Sequence, residues 1–155
     1  MTGGKWTTYR KMSQDIIDKA SLVGGLEERE CITANMPLHG YVKNFDRKDH
    51  LHVYGGDRLA INQLVESDKS LGEKLDPDYK YIKAEVVWAV REEMARKLED
   101  FLARRIRILF LDARASLRMA PAVAEIMAAE LGKDENWVRT ELAEYEALAR
   151  HYILT

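Results

Sequence analysis

The chain has 155 residues, of which 46% are hydrophobic and 32% charged, and its formal net charge is −2. This length suffices for one domain with its own core, and the composition is that of a globular protein rather than a disordered one. The near-neutral charge gives no basic field for nucleic acid, and every apolar run is too short to span a bilayer. Cys31 is the single cysteine, so we predict no internal disulfide, no structural zinc site and a reducing compartment.

The N-terminal loop, residues 3–8, reads Gly-Gly-Lys-Trp-Thr-Thr and runs into an amphipathic stretch. Glycines let a ligand approach bare backbone, Lys5 adds a mobile cation, and Thr7 and Thr8 add hydroxyls. This order is typical of a loop that holds an anion at a helix N-terminus, although a cloning remnant is an alternative and the Walker spacing is absent. Because such a loop normally follows a strand, we expect the chain to be the back end of a longer protein.

Helical spacing of apolar residues predicts a first helix over residues 7–20, with Thr7 or Thr8 as its N-cap. Gly24-Gly25 is predicted to end it. The following residues, 26–56, are rich in turn formers, and short β-like pieces are predicted at 31–33 and 51–54.

The sequence His50-Leu51-His52 overlaps the start of the second β-like piece. On a strand, both imidazoles would lie on one face and could hold a metal, with His39 or Asp49 as further candidates. No pattern supplies a third ligand, so we favour loop histidines that meet solvent.

Later residues are strongly helical. Asp57 is predicted to cap a short helix that runs to Val65, and Asp76-Pro77-Asp78 is a turn signal. From Tyr81 the apolar residues repeat at steps of three or four, which predicts one long helix or two with a break near Glu93. The apolar residues of this repeat are Val87, Val90, Met94, Leu98, Leu102 and Ile106.

The last third predicts more helices. Asp112 is expected to start one, Ala120-Pro121 to open the next, and Gly132 to end it. Asp134 is expected to cap the final helix. The fold class is therefore mainly α, a bundle-like helical domain with a short irregular or small β segment near residues 30–56.

Charged residues alternate between Arg91 and Arg107. Two pairs stand four apart, Glu92 with Arg96 and Asp100 with Arg104, which favours a salt-bridged helix surface. The alternative is an anion site made from Arg104, Arg105 and Arg107. The apolar residues expected to pack rather than bind ligands include Met119, Met127, Trp6, Trp88 and Trp137.

Three blocks of the chain resemble one protein family. The first is Gly3 to Arg10, and the second is Ala84 to Ala95 followed by Glu99 to Arg105. The third begins with Leu109-Phe110-Leu111-Asp112-Ala113-Arg114-Ala115 and continues to Ile126-Met127. In this order they resemble the C-terminal part of the FAD-dependent glycerol-3-phosphate dehydrogenases and the related oxidases. The blocks leave out residues 41–80, and the first block makes the cloning-remnant interpretation untenable.

The resemblance implies a domain order and an activity. In that family an FAD-binding Rossmann-type domain and a substrate domain precede a helical C-terminal domain. The enzyme oxidises sn-glycerol 3-phosphate to dihydroxyacetone phosphate and passes electrons through FAD to quinone or oxygen. Residues 1–20 are then expected to be the tail end of the FAD-binding domain, and residues 21–155 the helical C-terminal domain. The piece alone is expected to be inactive, and the whole protein cytoplasmic, at the inner face of the cell membrane if peripheral.

The resemblance also implies the site residues. Lys5 matches a lysine beside flavin and substrate, either stabilising the anionic flavin or helping to hold the substrate phosphate. Expected partners are the N-terminal domains of the same protein, glycerol 3-phosphate, quinone and a second copy in a homodimer. An alternative function is a helical interaction module for dimerisation, membrane docking or partner binding. The residues implied to contact FAD are Gly3, Gly4, Lys5, Trp6, Thr7 and Thr8.

Overall fold

Helices make up most of the regular structure in the computed structural model, which describes residues 2–154. The mainly α prediction is confirmed: no β-strand occurs in these residues, and one isolated antiparallel bridge joins Lys74 and Ile82. The α-helices are α1 (Tyr9–Gly24), α2 (Arg58–Ser67), α3 (Lys83–Arg91), α4 (Ile108–Leu111), α5 (Ala113–Leu131) and α6 (Glu135–Arg150). Two 3-10 helices, His50–Asp57 and Lys69–Gly72, and a π-helix, Asp100–Arg105, complete the set. The chain forms two compact units, residues 2–41 and 42–154.

In the unit of residues 2–41, α1 ends as its glycines predict. Gly25 adopts the left-handed conformation at φ 62°, and the Leu26 amide donates to the Ser21 carbonyl over 2.9 Å. No residue of α1 is buried. The β-like piece predicted at 31–33 is wrong, because residues 31 and 32 have no regular structure and a turn begins at Thr33, whose hydroxyl accepts from the Arg10 guanidinium.

The β-like piece predicted at 51–54 is also wrong, because these residues belong to the His50–Asp57 3-10 helix. The Asp49 carboxylate accepts from the Leu51 amide over 2.9 Å, which favours a turn over an extended strand. Leu51 is buried, so the helix is held by its apolar contact as well. His50 and His52 therefore do not share the face of a strand.

Two apolar cores stabilise the unit of residues 42–154. The larger lies among α3, the π-helix, α4, α5 and α6, and Met119 and Met127 are fully buried in it, as predicted. Trp137 packs against this core and Trp88 against the smaller one, whereas Trp6 is 88% exposed and contradicts its predicted packing role. The smaller core contains Leu51, Ile61, Ile82 and Ala84.

The predicted break near Glu93 is confirmed. Helix α3 ends at Arg91, and Met94 takes a positive φ of 60° in the connection that follows. The predicted Glu92–Arg96 pair is wrong, because Arg96 lies in this connection and its guanidinium donates to the carbonyls of Val90 and Ala95. The second predicted pair, Asp100 with Arg104, is confirmed at 3.2 Å.

The helix predicted to open at Ala120-Pro121 is wrong, because Pro121 lies inside α5. Its ring is exposed, while neighbours on the opposite face, such as Val123 and Met127, are buried. The buried face thus continues through the proline. The predicted end at Gly132 and the cap at Asp134 are confirmed, since the Asp134 carboxylate accepts from the Trp137 amide over 2.9 Å. None of the helices described has the length and apolarity needed to cross a membrane.

Candidate functional site

The N-terminal loop folds as a tight turn before α1. The amides of Thr8 and Tyr9 donate to the Lys5 carbonyl over 2.9 and 3.2 Å. The Lys5 amide donates to the Thr8 hydroxyl oxygen over 3.0 Å. Thr8 is the N-cap residue, as predicted, but its hydroxyl fixes this turn rather than capping the helix amides. Fewer backbone amides are therefore available to an anion than the sequence suggests.

A groove of about 480 Å³ lies along this loop and the first turns of α1. Lys5 and Trp6 lie side by side in its lining, and the Trp6 ring is 5.4 Å from the Tyr9 ring. Thr7 and Thr8 are exposed but do not line the groove. The groove thus combines an ammonium group with an exposed aromatic face, which suits a planar, negatively charged group. Four of the six predicted cofactor residues line it: Gly3, Gly4, Lys5 and Trp6.

The two glycines of the loop have positive φ angles, 84° at Gly3 and 123° at Gly4. L side chains rarely adopt these values, which accounts for glycine at both positions. A Cβ at Gly4 would lie 2.7 Å from the Met12 sulfur, whereas a Cβ at Gly3 would meet no heavy atom within 4 Å. The open backbone at Gly3, together with Lys5 and the Trp6 face, therefore leaves this part of the groove accessible to a ligand.

Sequence reasoning missed a larger groove of about 700 Å³ in the same unit, between α1 and residues 29–38. The Arg10 guanidinium lies 3.2 Å from the Thr33 hydroxyl and 3.7 Å from the Cys31 sulfur. Hydrogen bonds from Thr33, with the nearby charge of Arg10, lower the pKa of the Cys31 thiol. These contacts hold residues 31–33 against the helix.

A separate polar cavity of about 310 Å³ lies in the unit of residues 42–154. Its central group is the carboxyl of Glu85 at the start of α3, which is only 2% exposed. One oxygen accepts from the Ile82 amide over 2.8 Å and the other from the Tyr54 hydroxyl over 3.0 Å. We call this space the Glu85 cavity, and its polar lining residues are His50, Tyr54, Lys80, Tyr81, Glu85, Glu93 and Arg105.

Burial dominates the electrostatics of the Glu85 cavity. It raises the pKa of Glu85 to about 7, even though the hydrogen bonds from Ile82 and Tyr54 act in the opposite direction. Burial likewise lowers the pKa of His50, whose Nε2 lies 3.6 Å from a Glu85 oxygen. The pKa of the Tyr54 hydroxyl is raised, first by burial and then by the Glu85 charge, so Tyr54 remains a proton donor.

Two other charged residues of the cavity wall, Arg105 and Glu93, are paired with each other. Arg105 binds the Glu93 carboxylate at 2.9 Å, and it also donates to the carbonyls of Glu93 and Asp100. Arg104 binds Glu99 and Asp100, so the salt-bridge interpretation of these arginines is confirmed for Arg104 and Arg105. The sequence signal for Glu85 was present but unused, because a glutamate three residues after a helix N-cap is a common terminal arrangement.

Comparison with known proteins matches most of this chain to one protein family. The model of a family described as the C-terminal domain of alpha-glycerophosphate oxidase matches residues 3–138. No solved structure matches the chain.

Named relatives support the same grouping. A mitochondrial glycerol-3-phosphate dehydrogenase of Arabidopsis thaliana is 34% identical over 92% of this chain, which spans 27% of that protein. A probable mitochondrial glycerol-3-phosphate dehydrogenase of Caenorhabditis elegans is 31% identical over 92% of the chain, and 22% of that protein is covered. Glycerol-3-phosphate dehydrogenase 2 of Mycobacterium bovis is 32% identical over 100% of the chain and 30% of its own length. The chain thus spans less than a third of each of these relatives.

Proposed function

Because the chain belongs to the family of C-terminal domains of alpha-glycerophosphate oxidase, we propose that it works as part of a longer flavoprotein that oxidises sn-glycerol 3-phosphate to dihydroxyacetone phosphate. The observation that carries this proposal is the groove in which Lys5 and Trp6 lie beside the open backbone of Gly3. The relatives that share this stretch are several times longer, which leaves room for the flavin and substrate domains.

The surface of α1 supports a partner domain for residues 2–41. Ile17 is 63% exposed, Leu22 66% and Val23 81%, and no residue of the helix is buried. A helix gains most of its stability in proteins by burying an apolar face. We propose that the N-terminal FAD-binding part of the same polypeptide covers this face, which makes residues 1–20 the end of that domain.

FAD, when bound, would supply the acceptor for the hydride that leaves the alcohol carbon. The chain's own contribution is a binding surface. Gly3 permits close approach of backbone, the Trp6 face offers stacking area, and the Lys5 ammonium supplies positive charge beside a group that becomes negative. The positive end of the α1 dipole adds to this charge. Lys5 is therefore the residue of this chain proposed to act in catalysis.

Substitution of Lys5 in the full-length polypeptide tests its role. We expect Lys5→Ala to lower kcat/KM for glycerol 3-phosphate by about tenfold or more, the loss of one charge-assisted contact. A rise in KM alone indicates that Lys5 holds the phosphate. A fall in kcat with a lower flavin reduction potential indicates that it stabilises the reduced flavin.

The matched control is Lys11→Ala, which removes an exposed lysine of α1 that pairs with Asp15 at 2.9 Å. It should leave both kinetic constants unchanged. Wild-type kinetics in Lys5→Ala would remove Lys5 from the site. Turnover of glycerol 3-phosphate by the 155-residue chain mixed with FAD and a dye acceptor would contradict the need for the other domains.

We propose quinone as the electron acceptor of the complete protein. Quinones reside in the lipid bilayer, so the protein would act peripherally at a membrane, on its cytoplasmic face in a bacterium. The test compares two rates in the full-length enzyme: reduction of a soluble quinone analogue and release of hydrogen peroxide. Peroxide formation that matches substrate oxidation would identify an oxidase instead.

A second candidate function is contact between two copies through residues 42–154. The observation that favours it is exposed apolar surface near the ends of α4 and α6, where Phe110 and Tyr152 make an edge-to-face contact at 5.5 Å. Leu111 beside them is 71% exposed. A two-fold axis through such a patch would bury it against itself. Light scattering should show a dimer that Leu111→Glu dissociates, and a wild-type monomer would dismiss this candidate.

A further inference from the structure

The hydroxyl of Thr8 is engaged by the N-terminal loop itself. Its oxygen accepts a hydrogen bond from the Lys5 amide over 3.0 Å. Its own proton has two acceptors within reach, the Lys5 carbonyl oxygen at 3.2 Å and the Met12 sulfur at 3.5 Å. A hydroxyl has one proton to donate, so the donor of Thr8 is used inside the loop and is not available to a bound ligand.

These hydrogen bonds hold the backbone of Lys5 on both sides of its Cα. The Lys5 amide donates to the Thr8 side chain, and the Lys5 carbonyl accepts from the amides of Thr8 and Tyr9 over 2.9 and 3.2 Å. No other group in residues 2–154 accepts from the Lys5 amide. Because the two peptide planes that flank the Lys5 Cα are both held, the direction of its Cα–Cβ bond is fixed.

The same side chain joins the loop to the first helix. Met12 lies one turn after Thr8 in α1, and its sulfur would lie 2.7 Å from a Cβ at Gly4. The loop backbone therefore lies close against the thioether that the Thr8 hydroxyl also contacts. Lys5 and Met12 line the groove, whereas Thr8 does not, so Thr8 influences a ligand there only through its neighbours.

We propose that Thr8 is a positioning residue, which holds Lys5 in the groove and does not itself contact the bound flavin or substrate. This inference rests on the role proposed above for Lys5. The ammonium group of a lysine is carried on a flexible stem, so it samples many positions unless the backbone that bears it is fixed. A backbone that is held before the ligand arrives lowers the entropic cost of the contact.

The substitution Thr8→Val tests this role, because valine keeps the branched side chain and removes the hydroxyl. In the full-length polypeptide it should lower the same kinetic constant that Lys5→Ala lowers, by about two- to tenfold, the contribution of one hydrogen bond. Thr8→Ser restores the hydroxyl and should recover most of this loss. A Thr8→Ser variant as impaired as Thr8→Val would overturn the proposal.

A variant that carries both Lys5→Ala and Thr8→Val separates positioning from direct contact. Because Thr8 acts through Lys5, adding Thr8→Val to Lys5→Ala should change kcat/KM by less than about twofold. An undiminished effect in this background would mean that Thr8 contacts the ligand itself, which the proposal excludes. The matched control is Thr140→Val, whose exposed hydroxyl donates to the Asn136 carbonyl over 2.9 Å in α6. It should leave the kinetics unchanged.

A measurement without turnover tests the hold on Lys5 separately from the flavin chemistry. In the 155-residue chain, NMR should show the Lys5 amide proton exchanging with water about two- to tenfold faster in Thr8→Val than in the wild type. Thr8→Ser should return the rate towards that of the wild type. An unchanged rate in Thr8→Val would overturn the inference whatever the kinetics. Faster exchange together with wild-type kinetics in Lys5→Ala would instead reject the proposed catalytic role of Lys5 and leave the held turn standing.

Discussion

The Arg105 guanidinium holds Glu93 by both its side chain and its backbone. It binds the carboxylate at 2.9 Å and also donates to the carbonyl oxygen of the same residue. Because Arg105 ends the π-helix and Glu93 lies just after α3, this contact joins the two elements across the connection between them. It forms one wall of the Glu85 cavity.

Removal of this guanidinium should destabilise the helical unit. We expect Arg105→Ala to lower the free energy of unfolding by about 1.5–3 kcal/mol, the range for hydrogen bonds to charged groups. Arg105→Lys should recover little, since an ammonium cannot reproduce the fork of the guanidinium. Arg104→Ala is the control: its exposed pairs with Glu99 and Asp100 should be worth about 0–1 kcal/mol. Urea denaturation measures all three, and equal losses at both arginines would contradict the assignment.

Two phenylalanines separate core packing from surface contact. Phe101 is fully buried, whereas Phe110 is 53% exposed. Phe101→Ala should cost about 3–5 kcal/mol through lost burial and the cavity left behind. Phe110→Ala removes one aromatic contact with Tyr152 and should cost about 0.5–1.5 kcal/mol. The comparison is made by thermal unfolding, and similar changes in Tm for both variants would refute the described core.

The Asp76–Arg118 pair should make the free energy of unfolding depend on pH in the acid range. The Arg118 guanidinium lies 2.8 Å from the Asp76 carboxylate, and its hydrogen bond lowers the pKa of that group. The stabilisation is then present above the ordinary aspartate pKa of about 4 and is lost as pH falls below it. Asp76→Asn should therefore be less stable than wild type at pH 7, and the difference should shrink towards pH 2.

Asp78→Asn provides the comparison for this titration. Asp78 contacts the same guanidinium at 3.3 Å but its side chain is 75% exposed. It should change stability little at any pH. The midpoints of urea denaturation at a series of pH values measure the stability of each variant relative to wild type. A stability loss for Asp76→Asn that grows as pH falls would contradict the predicted direction.

Replacement of Pro121 should stabilise α5. Proline has no amide to donate to the Leu117 carbonyl, four residues earlier in the helix. Alanine restores this donor, and we expect a net gain of about 1–2 kcal/mol after the added entropy of the unfolded chain is subtracted. Pro77→Ala, in the exposed turn after Asp76, should show only the entropic loss. A lower Tm for Pro121→Ala would mean that the surrounding packing requires the proline.

Local signals allowed much of the fold to be predicted. Asp112 and Asp134 cap their helices as predicted, because each carboxylate accepts from a backbone amide of the first turn. Asp57 also stands at the predicted N-cap position, of α2, but its side chain makes no capping hydrogen bond there. Pro121 misled the sequence interpretation because its local cost is outweighed by a buried face that continues on both sides. Periodicity does not reveal such a tertiary preference.

The two candidate sites also differ in how far the sequence alone could predict them. The residues of the N-terminal loop were identifiable because they are consecutive and their chemistry is local. The Glu85 cavity was not, because His50, Glu85 and Arg105 are far apart in sequence and meet only after folding. The 3-10 conformation that brings His50 to Glu85 replaces a segment predicted as a strand, so the wrong local prediction also concealed the contact.

The uncovered apolar face of α1 has a consequence for the lifetime of the chain in a cell. Exposed side chains such as Leu22 and Val23 are the features that chaperones and proteases recognise on unassembled proteins. A chain in which no partner surface covers the α1 face is therefore a substrate for degradation, whereas a chain with a covered face is protected. Degradation of uncovered chains would then keep the amount of this domain equal to the amount of the partner surface that covers α1.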